Sequence, residues 1–283
     1  SERHPVAVAG LLEEVAARPA CTRDLVRKGE AETRCVQRWY KIALQLLLGA
    51  GEIAAATSMW ERAVAIRESS GEGSARILWP SVWQTPTLWI SGLRTSTTWD
   101  CGAWPFAASL QAHVAEIRQE ALGVMSRFAQ AYPYLKRTGD WQNLFLYRGR
   151  RWDMDLCEQM PLTCSLLLPE LPTKPDVPFA TPNNEEVVIF RSQPGARVGR
   201  HSGASNNQIN MHFTLGGGDS TFLRMGADEV VELRDGRAVC FQDSVIHAVE
   251  HNGSAERISL VARLMHPDMR TTSYGEAQRT DAE

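Results

Sequence analysis

The spacing of apolar positions changes twice along the chain. From residue 6 to 70 apolar residues recur at helical spacing, and no proline interrupts Cys21 to Ser70. Trp39, Tyr40, Ala43 and Leu46–Leu48 line one predicted helix. Ala54 to Ile66, with Trp60, Ala63 and Val64, lines a second. Gly49 and Gly51 break the run between them. The pair has the size of one tetratricopeptide-type unit without a second copy, and the reading preferred over a peptide-binding repeat is a helical cap. Residues 71–105 lose this period. Glycines and prolines punctuate them and tryptophans stand at 79, 83, 89, 99 and 104, so an irregular but ordered layer with buried indoles is expected. Ala107 to Tyr132 reads as helix, and Pro161 to Pro182 as a connector without regular period.

From Glu186 the period falls to two. Val187–Ser192, Ala196–Arg200, Asn207–Leu215, Ser220–Met225, Glu229–Leu233, Ala238–Asp243, His247–Glu250 and Arg257–Leu264 are set apart by turn signals such as Pro194-Gly195, Asp235-Gly236 and Asn252-Gly253. Eight short strands in so few residues predict a mixed α and β chain. A helical N-terminal region (1–75) is followed by a larger domain (76–270). Its core at 186–266 is a double-stranded β-helix, or jelly-roll, barrel. A polar tail (271–283) is expected to fray.

Composition adds little to this picture but excludes some classes. The 283 residues are 43% hydrophobic and 22% charged with a formal net charge of −3, which is ordinary for a globular chain. Such a balance offers no electrostatic ground for a nucleic-acid partner. The longest apolar stretch, Ile42 to Ala50, is too short to span a membrane. No targeting signal is visible at Ser1, and the compartment stays open. Six cysteines (21, 35, 101, 157, 164, 240) show no C-x-x-C spacing. Most are expected to be free thiols filling space, although Cys157 and Cys164 could pair.

The candidate chemistry lies in the β region. In the strand over 207–215, Gln208, Asn210, His212 and Thr214 share one face, opposite Ile209, Met211, Phe213 and Leu215. In the strand over 257–264, Arg257, Ser259 and Arg263 oppose Ile258, Leu260 and Leu264. Either pattern fits a sheet with one wet face or a barrel with a polar pocket. His201 and His247 stand at strand edges, where barrel mouths carry ligands. The usual non-haem iron(II) set is two histidines and a carboxylate, the carboxylate two residues after the first histidine. Here that place is Gly203, which cannot ligate.

The order His201-Ser-Gly-Ala-Ser-Asn206, Met211-His212, Phe241-Gln-Asp-Ser-Val-Ile-His247, Arg257 and His266-Pro267 resembles the aspartyl/asparaginyl β-hydroxylase family. So do Gly139-Asp140-Trp141, Pro161-Leu-Thr-Cys164 and Pro194-Gly195 upstream. The resemblance covers roughly residues 80–268. It implies an iron(II)- and 2-oxoglutarate-dependent dioxygenase in which two histidines hold the metal and glycine stands where the carboxylate would. By position, His201 and His247 would be the ligands, Arg257 would bind the far carboxylate of 2-oxoglutarate and His212 would help hold the cosubstrate. Two departures stand out. Asn210 occupies the place of an expected arginine, and Phe190 that of an expected cosubstrate-binding serine, with Ser192 close by; Asn210 and Ser192 are counted with His212 and Arg257 among the expected cosubstrate-binding residues. The family implies β-hydroxylation of aspartate or asparagine in a protein or peptide, typically an EGF-like domain, with dioxygen as co-reactant. It implies the endoplasmic reticulum lumen if animal relatives are a guide, and the cytoplasm otherwise. Asn210 and Phe190 favour a competing reading, a catalytically inactive jelly-roll binding module. A third is a cupin-type zinc or manganese enzyme.

If the strands at 247 and 257 form a hairpin, Arg257 shares the face of His247 only when the loop is odd in length, for instance Asn252-Gly253-Ser254. A zincin-like pairing of His247 with His251 is rejected, because four residues along a strand separate them by ~13 Å. Gly216–Gly218 reads as a hairpin turn.

Overall fold

The computed structural model describes residues 4–16, 30–65, 79–87, 89–90, 92–132, 135–149, 151–168 and 186–270. The expected tail (271–283), much of the proline-rich connector and parts of the helical region fall outside the described residues.

Three helices open the chain: α1 (Pro5–Ala16), α2 (Glu30–Gly49) and α3 (Ile53–Ala65). The α2–α3 turn falls at the expected glycines. Gly51 sits at φ +82°, a conformation open to glycine, and the Glu52 amide closes the turn onto the Leu47 carbonyl. Val36, Tyr40, Ala43, Leu44, Leu47 and Leu48 of α2 meet Ala56, Met59 and Ala63 of α3, together with Trp79, Val82 and Ile246. That is the i, i+3, i+4 stripe of a helix buried on one side.

The β elements are β1 (Thr98–Trp99), β2 (Ala129–Gln130), β3 (Lys136–Thr138), β4 (Trp141–Arg148), β5 (Arg151–Trp152), β6 (Glu186–Ser192), β7 (Arg197–His201), β8 (Gln208–Gly216), β9 (Thr221–Met225), β10 (Glu229–Glu232), β11 (Ala238–Gln242), β12 (His247–His251) and β13 (Arg257–Met265). All eight strands expected from residue 186 onward are present, within a residue or two of the expected bounds. They form two antiparallel sheets, one ordered β1-β11-β8-β13-β6-β4-β2, the other β10-β9-β12-β7-β3. Counting from β6 as the first strand, the sheets run 6-3-8-1 and 5-4-7-2, which is the jelly-roll weave of a double-stranded β-helix.

Helices α4 (Phe106–Ala112), α5 (Val114–Gly123), α6 (Met154–Gln159) and α7 (Pro161–Leu167) cover the outer face of the longer sheet. Their Leu110, Ile117, Leu156 and Leu167, with Met160 between the last two helices, pack on Ile189, Met211, Phe213, Ile258 and Leu260. The inner faces meet through Leu223, Met225, Leu233 and Phe241, and through Trp141, Val198 and Ala131.

Several expectations are corrected. β12 and β13 do not form a hairpin, because each pairs within a different sheet, and the same holds for β8 and β9 on either side of Gly216–Gly218, which is therefore not a hairpin turn. Residues 252–256 carry the chain from one sheet to the other, so loop length does not set which face Arg257 shares. The helix expected over 107–132 ends at Gly123, where Val124 begins a 3-10 turn, and the chain enters β2 at Ala129. β4 went unread. Pro161–Leu167 is helical, with proline in the first turn and the amides of Leu162 and Thr163 capped by Glu120. Of the five tryptophans, 79 and 104 are deeply buried and 83, 89 and 99 only partly. Cys101 pairs with Cys240 and Cys157 with Cys164, against the expectation of free thiols. Among the described residues no helix is long and apolar enough to cross a membrane.

Two compact units result. One gathers residues 1–91, 200–206 and 243–247; the other holds 92–199, 207–242 and 248–283.

Candidate active site

The first unit holds the histidine pair. His201 ends β7 and His247 opens β12, and these strands are neighbours in the shorter sheet. Their ring centres stand 4.3 Å apart with planes at 55°. Two imidazoles bound at right angles to one metal at ~2.0–2.1 Å have ring centres roughly 4.5 Å apart, a separation close to the one seen here. His247 is 3% exposed, and its Nδ1 lies 2.8 Å from the Val245 carbonyl oxygen. A carbonyl only accepts, so Nδ1 carries the proton and the lone pair lies on Nε2, the arrangement a metal-binding histidine uses. Among the described residues no group of three or more His, Cys, Asp and Glu is placed to hold a metal. The pair would offer a metal two imidazole donors and no carboxylate.

The segment that follows His201 is held in detail. The Gly203 amide donates to the Asp243 carbonyl at 2.7 Å. A Cβ on Gly203 would stand 1.9 Å from Asp243 Oδ2 and 2.5 Å from its Cγ. The glycine therefore leaves room for the Asp243 carboxylate. Asn206 exchanges two hydrogen bonds with the Ile90 backbone, at 2.7 and 2.8 Å. Lys41 Nζ donates to the Ser202 and Gly203 carbonyls. The 243–247 segment is tied by Gln84 Nε2 to Ser244 Oγ at 2.8 Å and by the Ile246 amide to the Trp83 carbonyl.

Sequence reasoning missed Asp243 and Lys41. Asp243 stood inside the motif that ends at His247, four residues before it. Lys41 stood on the apolar stripe of its helix, three residues before Leu44, which is the signal that could have found it. Burial lowers the Lys41 ammonium to about 8, against the attraction of Asp243.

The second unit holds the other four named residues on the inner face of the longer sheet. Cross-strand pairing sets Arg257 beside Ser192 and Ser259 between Phe190 and Thr214. Arg257 is 3% exposed and donates from Nη2 to Thr214 Oγ1 at 3.1 Å. Its Nε and the fully buried Ser259 Oγ find no hydrogen-bond partner among the described residues. Burial pulls the guanidinium down to about 10, partly offset by Asp235. A buried cation with a donor to spare beside two hydroxyls suits a carboxylate ligand. His212 lies two residues from Thr214 on the same face and packs edge-on against Phe241. Asn210 lies a further step along, opposite Arg263, so it is ~13 Å of strand from Thr214. Ser192, Thr214 and Arg257 are thus brought together, while Asn210 is not among them. Phe190 stacks on Trp141, ring centres 5.0 Å apart. His251 is occupied structurally, its Nδ1 on Thr221 Oγ1 and its Nε2 on the Ala255 carbonyl.

The chain is 26% identical over 205 residues to the human aspartyl/asparaginyl β-hydroxylase, covering 70% of this chain and 26% of that protein. The mouse protein of that name is 26% identical over 204 residues, covering 70% and 27%. The chain thus spans about a quarter of the length of these relatives. Among solved structures, a Trichoplax adhaerens prolyl hydroxylase in complex with a hypoxia inducible factor peptide aligns at a TM-score of 0.40 and 12% identity, covering 60% of this chain and 93% of that one. A Burkholderia pseudomallei oxidoreductase of the 2OG-Fe(II) oxygenase family aligns at 0.36 and 17%, covering 60% and 95%. The model of the aspartyl/asparaginyl β-hydroxylase family matches residues 111–267, more than half of the sequence, and the chain belongs to that family.

Proposed function

We propose that this protein is an iron(II)- and 2-oxoglutarate-dependent dioxygenase that hydroxylates the β-carbon of an aspartate or asparagine in a protein or peptide, an EGF-like domain being the first substrate to try. The observation that carries the reading is the His201–His247 pair at 4.3 Å with glycine, not a carboxylate, two residues after the first histidine. In the proposal these two imidazoles hold iron. Once bound, iron with 2-oxoglutarate and dioxygen supplies the power to oxidise a C–H bond, at the expense of converting the cosubstrate to succinate and carbon dioxide.

The chain's own residues bind, orient and exclude water. The Val245 carbonyl fixes the His247 tautomer and so aims Nε2. Arg257, with the hydroxyls of Thr214, Ser259 and Ser192, is assigned the far carboxylate of 2-oxoglutarate. That carboxylate meets a fixed cation in a dry place, where charge-assisted hydrogen bonds are strongest. His212 takes a supporting role nearer the middle of the face. The serine that Phe190 replaces has a counterpart in Ser259, which lies directly across from it on β13. Asn210, expected among the cosubstrate-binding residues, stands distant from Arg257 along the strand and is given no part in holding that carboxylate. The two disulfides favour an oxidising compartment.

The Trp141–Phe190 stack favours the competing reading of an inactive binding module, because it fills space beside Ser192. The test is succinate formation from 2-oxoglutarate with added iron(II), for the native chain and for His201→Ala and His247→Ala. Turnover in the native chain, falling to background in both variants, is expected. Absence of turnover together with no stoichiometric metal binding would leave the module.

A further inference from the structure

Helix α2 sends one charged group into the histidine segment. Lys41 is 9% exposed, on the same face of α2 as Leu44 and Leu48. Its Nζ donates to the Ser202 carbonyl at 3.0 Å and to the Gly203 carbonyl, the two peptide oxygens that directly follow His201. One helical turn later, Gln45 Nε2 donates to Ser202 Oγ at 3.2 Å. The same helix therefore grips this segment twice.

An ammonium taken out of water is costly unless acceptors or an opposite charge compensate it. Lys41 has both kinds of compensation. Two carbonyl oxygens accept from it, and the Asp243 carboxylate, seated against Gly203, attracts it. A methionine would fill the same stripe of α2 without that cost. A lysine at this point earns its place only through what it holds.

We infer that Lys41 is a positioning residue of the metal centre: it fixes the Ser202–Gly203 backbone, and hence His201. The inference rests on the reading of His201 and His247 as metal ligands. It also makes α2, which lies outside the matched residues 111–267, a working part of the site. Groups that hold a ligand in place commonly change metal affinity by about 10–100-fold when removed.

The test uses the full chain and the metal alone. Mn(II) affinity and the visible absorption spectrum of the Co(II) form are measured for the native chain, Lys41→Met, Lys41→Gln and His201→Ala, with thermal unfolding alongside. Lys41→Met is expected to weaken Mn(II) binding by about tenfold or more and to alter the Co(II) spectrum. Lys41→Gln, which keeps an N–H donor, should fall between it and the native chain. Adding Asp243→Asn to Lys41→Met should recover part of the loss by removing the uncompensated charge. Should Lys41→Met fail to fold, Lys41→Gln decides the matter. Native affinity and an unchanged Co(II) spectrum in a folded Lys41 variant would overturn the inference while leaving the histidines as ligands. A native chain whose Mn(II) binding is indifferent to His201→Ala would overturn the metal reading itself, and this inference with it.

Discussion

Arg257 sets opposite demands on stability and on binding. Its guanidinium is buried with one hydrogen bond to Thr214, and its Nε has no partner among the described residues. Replacing a buried, incompletely compensated charge by an apolar side chain of similar length is neutral or stabilising by ~1–4 kcal/mol. Arg257→Met should therefore unfold at the same temperature as the native chain or higher. Its 2-oxoglutarate affinity should nevertheless fall by roughly 30-fold or more, since losing one member of a buried charge pair costs about 2–5 kcal/mol. Calorimetry without and with 2-oxoglutarate reads both effects, and a drop in stability with unchanged affinity would contradict the assignment.

Two other residues make stability depend on pH. Burial lowers the pKa of His251 and of His266 in the fold. Above the unfolded value of about 6.5 neither state is protonated, and the contribution is fully present. As pH falls below that value the unfolded chain takes up protons before the folded one, and stability is lost. Thermal unfolding between pH 7.5 and 5 should show this loss, and His251→Gln should flatten part of it; an unchanged slope in that variant would count against the cause. At this scale the sequence was partly legible. The histidine pair stood out by its place in an order of motifs. Lys41 did not, because a lone lysine in a helix reads as a solvated side chain unless its place on the apolar stripe is weighed.

At the level of elements, period-two alternation was readable wherever strands were regular. β8 and β13 put Met211, Phe213, Leu260 and Ala262 against the helices and Thr214, Arg257 and Ser259 on the other face. β4 escaped because its register shifts between Phe145 and Tyr147, which breaks the alternation that would have marked it. The hairpin expected between β12 and β13 failed because local turn chemistry cannot tell a return within one sheet from a crossing to the other. Gly203 yields a prediction here. Restoring the missing carboxylate as Gly203→Asp drives a Cβ into Asp243 at 1.9 Å, and should destabilise the chain by ~1–3 kcal/mol and weaken Mn(II) binding. Gly203→Asp combined with Asp243→Gly relieves the clash and should recover stability. Equal melting of the single and double variants would refute the steric account.

For the whole molecule, the Cys101–Cys240 disulfide spans 139 residues and ties the approach to α4 to β11. In the loop-entropy account a closure of this length contributes on the order of 4–5 kcal/mol, so Cys101→Ser/Cys240→Ser should lower the unfolding temperature by roughly 10 °C. Cys157→Ser/Cys164→Ser closes a far shorter loop and should cost less. Intact mass before and after alkylation tests the pairing directly, and labelling of all four thiols without reductant would refute it. Neither bridge was readable with certainty, because pairing depends on Cα separations of about 5.5 Å that only the folded chain creates.

Sequence alone determined the helical start, the eight strands of the barrel and the family's run of motifs, since hydrophobic period and turn residues are local properties that each segment carries with it. Tertiary structure decided which strands pair, which cysteines meet, and which groups other than the ligands hold the histidine segments. Lys41 and Asp243 are separated by some two hundred residues, and only the packing of α2 against the histidine segment puts an ammonium where those carbonyls need it.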